Sequence, residues 1–475
     1  MAGQALSAGT TGRKRVLFGL LAGDGWTWAS VKAAFWFVVI VMMLGYLPDR
    51  AYYFTVFPTI DLGVNVVSPV NFCPPANRTL PCPAPVGATL PWDPSPADLA
   101  LPAPRTGGAV VQLGTRMLYI GGSDGTAATD GTFAADLYSG TYGPWKAAGS
   151  LPAPRAAAGA AVLNGVVYVA GGYGPDGVPT DTVFVASQDL ATGALGEFAA
   201  NDTLKLPEAR ATATLLAAAD GLILIGGTNG TAYQPTVWKA VLDKSGKLGS
   251  WAPQAALPTG IGEASAALVG DHLYLYGGRD DRGPVGLVLR GHVGKDKDNL
   301  GRIVGWDIGG AGTNLPVART RGAGFTANGV LYLVGGSDAA GLHGEMYWTV
   351  PDAKGDIPGW QHLPVTDLPV GVEGASALVS GSVVFIVGGT DSNGTLVGSA
   401  RANLAPQPPF FQLGLFGVTV PALKIGGEIG QQLGYLNAAG VATVNFVLLL
   451  LIGWAFAHKE RTRAILRRIG GRIRR

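Results

Sequence analysis

The sequence predicts an all-β fold, six four-stranded sheets arranged as a β-propeller, with one transmembrane α-helix on each side of it in the chain. Three observations predict it. Six apolar runs end in Gly-Gly at intervals near 50 residues, a Leu-Pro pair stands 20 residues before each Gly-Gly, and an uncharged apolar segment flanks the array on either side. A repeat of this period, with this punctuation, reads as a unit that buries both faces only by packing on its neighbours.

Composition narrows the alternatives. Hydrophobic residues are 48% of the 475, charged residues 14%, and the net charge is +2. Those values exclude a disordered chain. The 73 glycines do not fall every third residue, which excludes collagen. Two cysteines exclude a disulfide-dense scaffold and a four-thiolate zinc site.

The expected order is an N-terminal tail (1–30), a first span (31–48), an extracytoplasmic connector (49–89), the propeller (90–404), an apolar connector (405–434), a second span (435–457) and a basic tail (458–475). The first span is short, so Lys32 snorkels, with Trp26, Trp28, Trp36 and Tyr46 as interfacial aromatics. An uncleaved signal anchor is favoured over a cleaved signal peptide, because no A-x-A site ends the apolar run. Asn437 and Asn445 in the second span hydrogen-bond locally or face another helix. Arg13, Lys14, Arg15 and Lys32 precede the first span, and eight Lys and Arg follow the second. Residues 49–434 carry 22 Lys and Arg against 30 Asp and Glu. The positive-inside rule therefore puts both termini in the cytoplasm and the propeller outside it, at a cell membrane crossed twice. Cys73 and Cys82 flank a proline-rich stretch, and in an oxidising compartment a small disulfide loop is their default. The apolar connectors pack under the propeller or meet a partner subunit. The tail RTRAILRRIGGRIRR suits a helix lying on anionic lipid rather than on nucleic acid.

The diglycines are Gly121-Gly122, Gly171-Gly172, Gly226-Gly227, Gly277-Gly278, Gly335-Gly336 and Gly388-Gly389. Two apolar runs joined by a small-residue turn precede each one, and their length suits buried strands. Asp/Gly/Asn-rich turns follow, then a third strand, then a fourth with a bulky aromatic: Trp92, Trp145, Phe198, Trp251, Trp306 or Trp360. Only one strand follows Gly388-Gly389, so the Trp92 segment is expected to complete the sixth sheet and close the ring.

This pattern, W…LP..R…G.hYhhGG, resembles the kelch repeat over roughly Leu90 to Leu404. The third aromatic departs from it as Phe198, and Leu224 stands where other second strands have Tyr or Phe. Kelch propellers include enzymes and binding modules, so the resemblance does not by itself assign a function. A galactose-oxidase-like copper enzyme needs a cysteine that the propeller lacks. His272, His292, His343, His362 and His458 show no metal-binding spacing, and no nucleophile elbow or phosphate loop stands out. No catalytic residue, metal or cofactor is expected, and the chain is read as leaning away from an enzyme.

Four residues after each Leu come Arg105, Arg155, Arg210, Ile261, Arg319 and Val372; the two sites without Arg have Glu263 and Glu373 nearby, and Arg321 adds a charge. In intracellular kelch adaptors that this repeat resembles, arginines at the matching position line one mouth of the channel and bind acidic peptides. The resemblance thus implies a polar rim of Arg105, Arg155, Arg210, Arg319, Glu263 and Glu373; the bland alternative is structural pairing with neighbouring acids or backbone. Asn77, Asn201, Asn229 and Asn393 match the glycosylation pattern only weakly. The leading reading is a membrane-anchored binding or scaffold module, an accessory subunit among other membrane subunits, with a glycan or acidic peptide as candidate ligand. A mutarotase- or oxidase-like carbohydrate enzyme and a cell-surface receptor or adhesin are the alternatives.

Overall fold

The structure is a computed structural model and describes residues 85–94, 99–138, 141–189, 193–310, 312–394 and 398–404. The apolar segments 31–48 and 435–457, Cys73 and Cys82, most of connector 49–89, all of connector 405–434 and both tails lie outside the described residues. Among the described residues no helix is long and apolar enough to cross a membrane.

Six antiparallel sheets form. Blade 1 runs Ala109–Leu113, Arg116–Ile120, Gly131–Tyr138 and Lys146–Ser150. Blade 2 runs Gly159–Leu163, Val166–Ala170, Val183–Ser187 and Ala199–Ala200. Blade 3 runs Thr214–Ala218, Gly221–Ile225, Val237–Val241 and Ala252–Pro253. Blade 4 runs Ser265–Val269, His272–Tyr276, Val288–Val293 and Ile303–Ile308. Blade 5 runs Ala323–Ala327, Val330–Val334, Met346–Thr349 and Gln361–His362. Blade 6 runs Ser376–Ser380, Val383–Val387 and Ser399–Asn403, and takes its outer strand, Asp93–Pro94, from the other end of the propeller sequence. The first strand of each blade touches the first strand of the next, and that of blade 6 touches that of blade 1, so these six surround the axis.

The second strands are the most buried, as short apolar runs without alternation require, with Gly221–Ile225 and Val330–Val334 covered throughout. Tyr168, Tyr274, Tyr332 and Phe385 stand three residues before their diglycine, so their partner in blade 3 is Ile223 rather than Leu224. The core lies in the seams. Leu118 and Ile120 of blade 1 meet Val167, Val169 and Phe184 of blade 2, with Leu151 plugging the joint. Each such side chain contributes about 1.5–3 kcal/mol on burial.

Three features of the repeat have visible causes. The second glycine of each pair donates its N–H to the residue four after Leu in the next blade, as in Gly172 to Arg210 O (2.7 Å) and Gly278 to Arg319 O (2.6 Å). At Gly171 and Gly226 φ is positive, and a Cβ would stand 2.2 and 2.0 Å from the next blade's carbonyl oxygen. Glycine is required there by conformation and by space. The tryptophans staple their blades. The indole N–H of Trp92, Trp251, Trp306 and Trp360 reaches Thr366 O, Leu204 O, Ala255 O and Thr313 O, each two residues before the Leu of its own blade.

Candidate functional site

At one end of the axis the chain forms a closed ring of backbone hydrogen bonds. Six residues after each Leu stand Gly107, Ala157, Thr212, Glu263, Arg321 and Gly374. Each donates its N–H to the carbonyl of the one before, and Gly107 donates to Gly374, at 2.7–3.2 Å. All six have positive φ, from 51° to 66°. Four are not glycine, in a region that non-glycine residues rarely adopt. The ring therefore places six side-chain positions around the mouth on a backbone that neighbouring blades fix.

The ring is unequal. Gly374, Gly107 and Ala157 leave one side bare, while Thr212, Glu263 and Arg321 make the other polar. Glu263 accepts from the Tyr233 hydroxyl at 3.2 Å and from the Thr320 hydroxyl. Arg321 Nη1 donates to Glu373 Oε1 at 2.5 Å, and the Ser337 hydroxyl donates to Glu373 Oε2 at 2.6 Å. Burial, followed by the nearby Glu263 carboxylate, pushes the Tyr233 and Tyr173 hydroxyls above the usual tyrosine range. Both phenols are therefore neutral donors at physiological pH.

The expected arginine rim has a different placement. Arg155, Arg210 and Arg319 are 5%, 1% and 1% exposed. Each lies over an aromatic ring in the third strand of its own blade: Arg155 over Phe184 (4.8 Å), Arg210 over Trp238 (4.6 Å) and Arg319 over Tyr347 (5.7 Å). Arg105 over Phe133 (5.5 Å) repeats the arrangement half-buried. Local acceptors complete it, as Thr182 Oγ1 does for Arg155, Glu208 and Thr236 for Arg210, and Glu345 for Arg319. Burial draws the Arg155 guanidinium below its usual range, against the pull of Asp176 and Asp181. Where the repeat has Ile261 or Val372, the third strand offers Leu289 or Ala400 within the same apolar cluster. The arginines are thus half of an arginine–aromatic pair inside the blade. Of the six expected rim residues, the structure brings Glu263 and Glu373 to the mouth.

Sequence reasoning missed Tyr173, Tyr233, Thr320 and Ser337. A signal existed. The residue after each diglycine bridges the residue five after Leu, as Tyr173 does Ala156 and Ser337 does Thr320, so both registers line the mouth. His343 lies between Asp338 (2.9 Å) and Glu345 (3.1 Å), and its hydrogen bond holds the Asp338 carboxyl below the ordinary range. Among the described residues no group of three His, Cys, Asp or Glu is placed to hold a metal ion.

Six blades, the diglycine seam and the closing strand define a kelch-type propeller. Residues 87–278 match the family model described as the KLHDC2/KLHL20/DRC7 Kelch-repeats domain. A solved structure titled "Structure of YjhT" aligns with a TM-score of 0.51 at 16% identity, over 63% of this chain and 95% of that one, which is a likeness of fold. No curated protein matches the sequence.

Proposed function

We propose that this chain is a binding module, an accessory subunit of a membrane assembly that presents its propeller mouth outside the cytoplasm. One observation carries the reading. The two mouth carboxylates each accept two hydrogen bonds, Glu263 from Tyr233 and Thr320 and Glu373 from Arg321 and Ser337, on a ring whose backbone is closed on itself. Carboxylates held this way present a fixed pattern of acceptors for electrostatic recognition. The apolar segments 31–48 and 435–457 and their basic flanks supply the membrane part of the proposal.

The test is to purify the full chain from its native membrane in mild detergent and measure particle mass. A second subunit in fixed ratio is expected, and Arg321→Ala should lower its retention as salt is raised. A lone monomer overturns the reading. A second reading, a carbohydrate-active propeller, is favoured by the Tyr233–Glu263 pair at the mouth. Absence of turnover across a sugar panel removes it.

A further inference from the structure

Blade 4 departs from the repeat. Blade 4 has Gly260, Ile261 and Gly262 where blade 3 has Ala209, Arg210 and Ala211. Both glycines make way for Tyr233 of blade 3. A Cβ on Gly260 would stand 1.9 Å from Tyr233 O, and one on Gly262 would stand 2.7 Å from the ring carbons Cδ1 and Cε1. Tyr233 is then held at three points: its ring on Gly262, its hydroxyl on Glu263 (3.2 Å) and its backbone N–H on Asp281 Oδ1 (2.9 Å). An aromatic ring fixed this firmly is a platform prepared in advance.

The platform lines a cleft of about 420 Å³ beside the mouth, with Tyr173, Val178, Pro179, Thr231 and Asp281 among the other walls. That volume falls within the usual range of small-ligand sites. Val178 is 55% exposed, an apolar side chain facing solvent at the rim. Asn229 also lines the cleft but is committed: its Oδ1 accepts from Thr231 N and Ala232 N, and its Nδ2 donates to Glu208. Asp281 is the one charged side chain among the lining residues.

We propose that this cleft binds a neutral sugar ring, its C–H face on Tyr233 and its hydroxyls donating to the free oxygen of Asp281 and meeting the Thr231 hydroxyl. The aromatic ring takes the apolar face of a pyranose, and a carboxylate is the acceptor that hydroxyl donors pair with best. A carboxylate with no cation lining the cleft opposes an anionic ligand. The proposal rests on reading the chain as a binding module and adds a ligand class and a place off the axis.

The experiment titrates the full chain in detergent with glucose, galactose, cellobiose and lactose, following ligand signals by saturation-transfer NMR. At least one should saturate. Asp281→Asn keeps an oxygen for the Tyr233 N–H and should weaken binding at least tenfold; Thr231→Val should weaken it several-fold; Lys146→Ala, exposed on the outer strand of blade 1, should leave it unchanged. Melting curves of the variants check that each is folded. No saturation by any neutral sugar overturns the proposal, as does binding that ignores Asp281 and Thr231. Tighter binding of choline, or of a proline-rich peptide, in the same cleft overturns it too. A lone monomer that still binds sugar would sink the accessory-subunit reading and leave this one standing.

Discussion

At the scale of the residue, the arginines and the mouth charges divide structure from recognition. Arg210 is buried on Trp238 and gives its guanidinium to Glu208 and Thr236. Arg321 is 37% exposed and its partner Glu373 20%. Arg210→Ala should therefore cost about 2–4 kcal/mol, from lost packing and the lost cation–π contact, and Arg321→Ala no more than about 1 kcal/mol. Chemical denaturation measures both; equal losses would refute the division. The double change Arg210→Ile with Trp238→Leu copies the Ile261 and Leu289 of blade 4 and should recover part of the single loss, a coupling that a double-mutant cycle reads. The arginine register was legible in the sequence, but its role was not. Nothing in the spacing says that Phe184, Trp238 and Tyr347 on the third strand face those arginines. Tyr233 was hidden for a related reason: its site depends on Gly260 and Gly262 of the next blade, a match between segments distant in the chain.

At the scale of the element, the repeat spelled out the blades because each mark has one local cause. The diglycine ends the second strand where a Cβ would strike the next blade, and the tryptophan N–H closes the outer strand onto its own entry. The small hairpins Arg279–Asp280 with Gly283–Pro284 and Ser337–Asp338 with Gly341–Leu342 were not legible, since two-residue ladders have no hydrophobic period. The acidic turns yield a pH prediction. Asp124 accepts from Ala127 N, the Thr126 hydroxyl and Thr126 N, which hold its carboxyl down at about 2. The Ser245 hydroxyl lowers Asp243, the Asn299 side chain lowers Asp296, and backbone N–H groups lower Asp352. A carboxyl depressed on folding stabilises the fold above its unfolded pKa, near 3.9, and loses that contribution as pH falls through the folded value. The melting temperature should be flat above about pH 5 and fall between roughly pH 4 and 2. Asp124→Asn with Asp243→Asn keeps an acceptor in each turn without its titration and should make that fall shallower. An unchanged slope would count against the turns as its source.

At the scale of the whole molecule, stability depends on one short closure. Asp93 and Pro94 pair with Arg401 and Ala400, Leu90 N donates to Asn403 O at 2.8 Å, and Arg401 Nε meets Asp93 Oδ2 at 3.1 Å. The strand is two residues long, so Trp92 and the residues before it do most of the holding. The buried Trp92 indole donates to Thr366 O at 2.7 Å, and the Trp348 indole donates to Val86 O at 2.9 Å across a glycine, Gly87, whose Cβ would strike that ring. Without this segment the third strand of blade 6, Ser399–Asn403, becomes an open edge. An open edge pairs with another chain. Trp92→Ala should cost about 3–5 kcal/mol and convert part of the protein to dimers and larger species, seen by light scattering in detergent. Trp92→Phe keeps most of the packing and removes the hydrogen bond, so it should cost about 1–2 kcal/mol. Trp145 is the internal comparison, because its buried indole N–H has no partner among the described residues. Trp145→Phe should be closer to neutral than Trp92→Phe, and should leave the particle size unchanged. If the two cost the same, the staple is not the hydrogen bond; if Trp92→Ala stays a single species, the ring does not depend on this strand for closure.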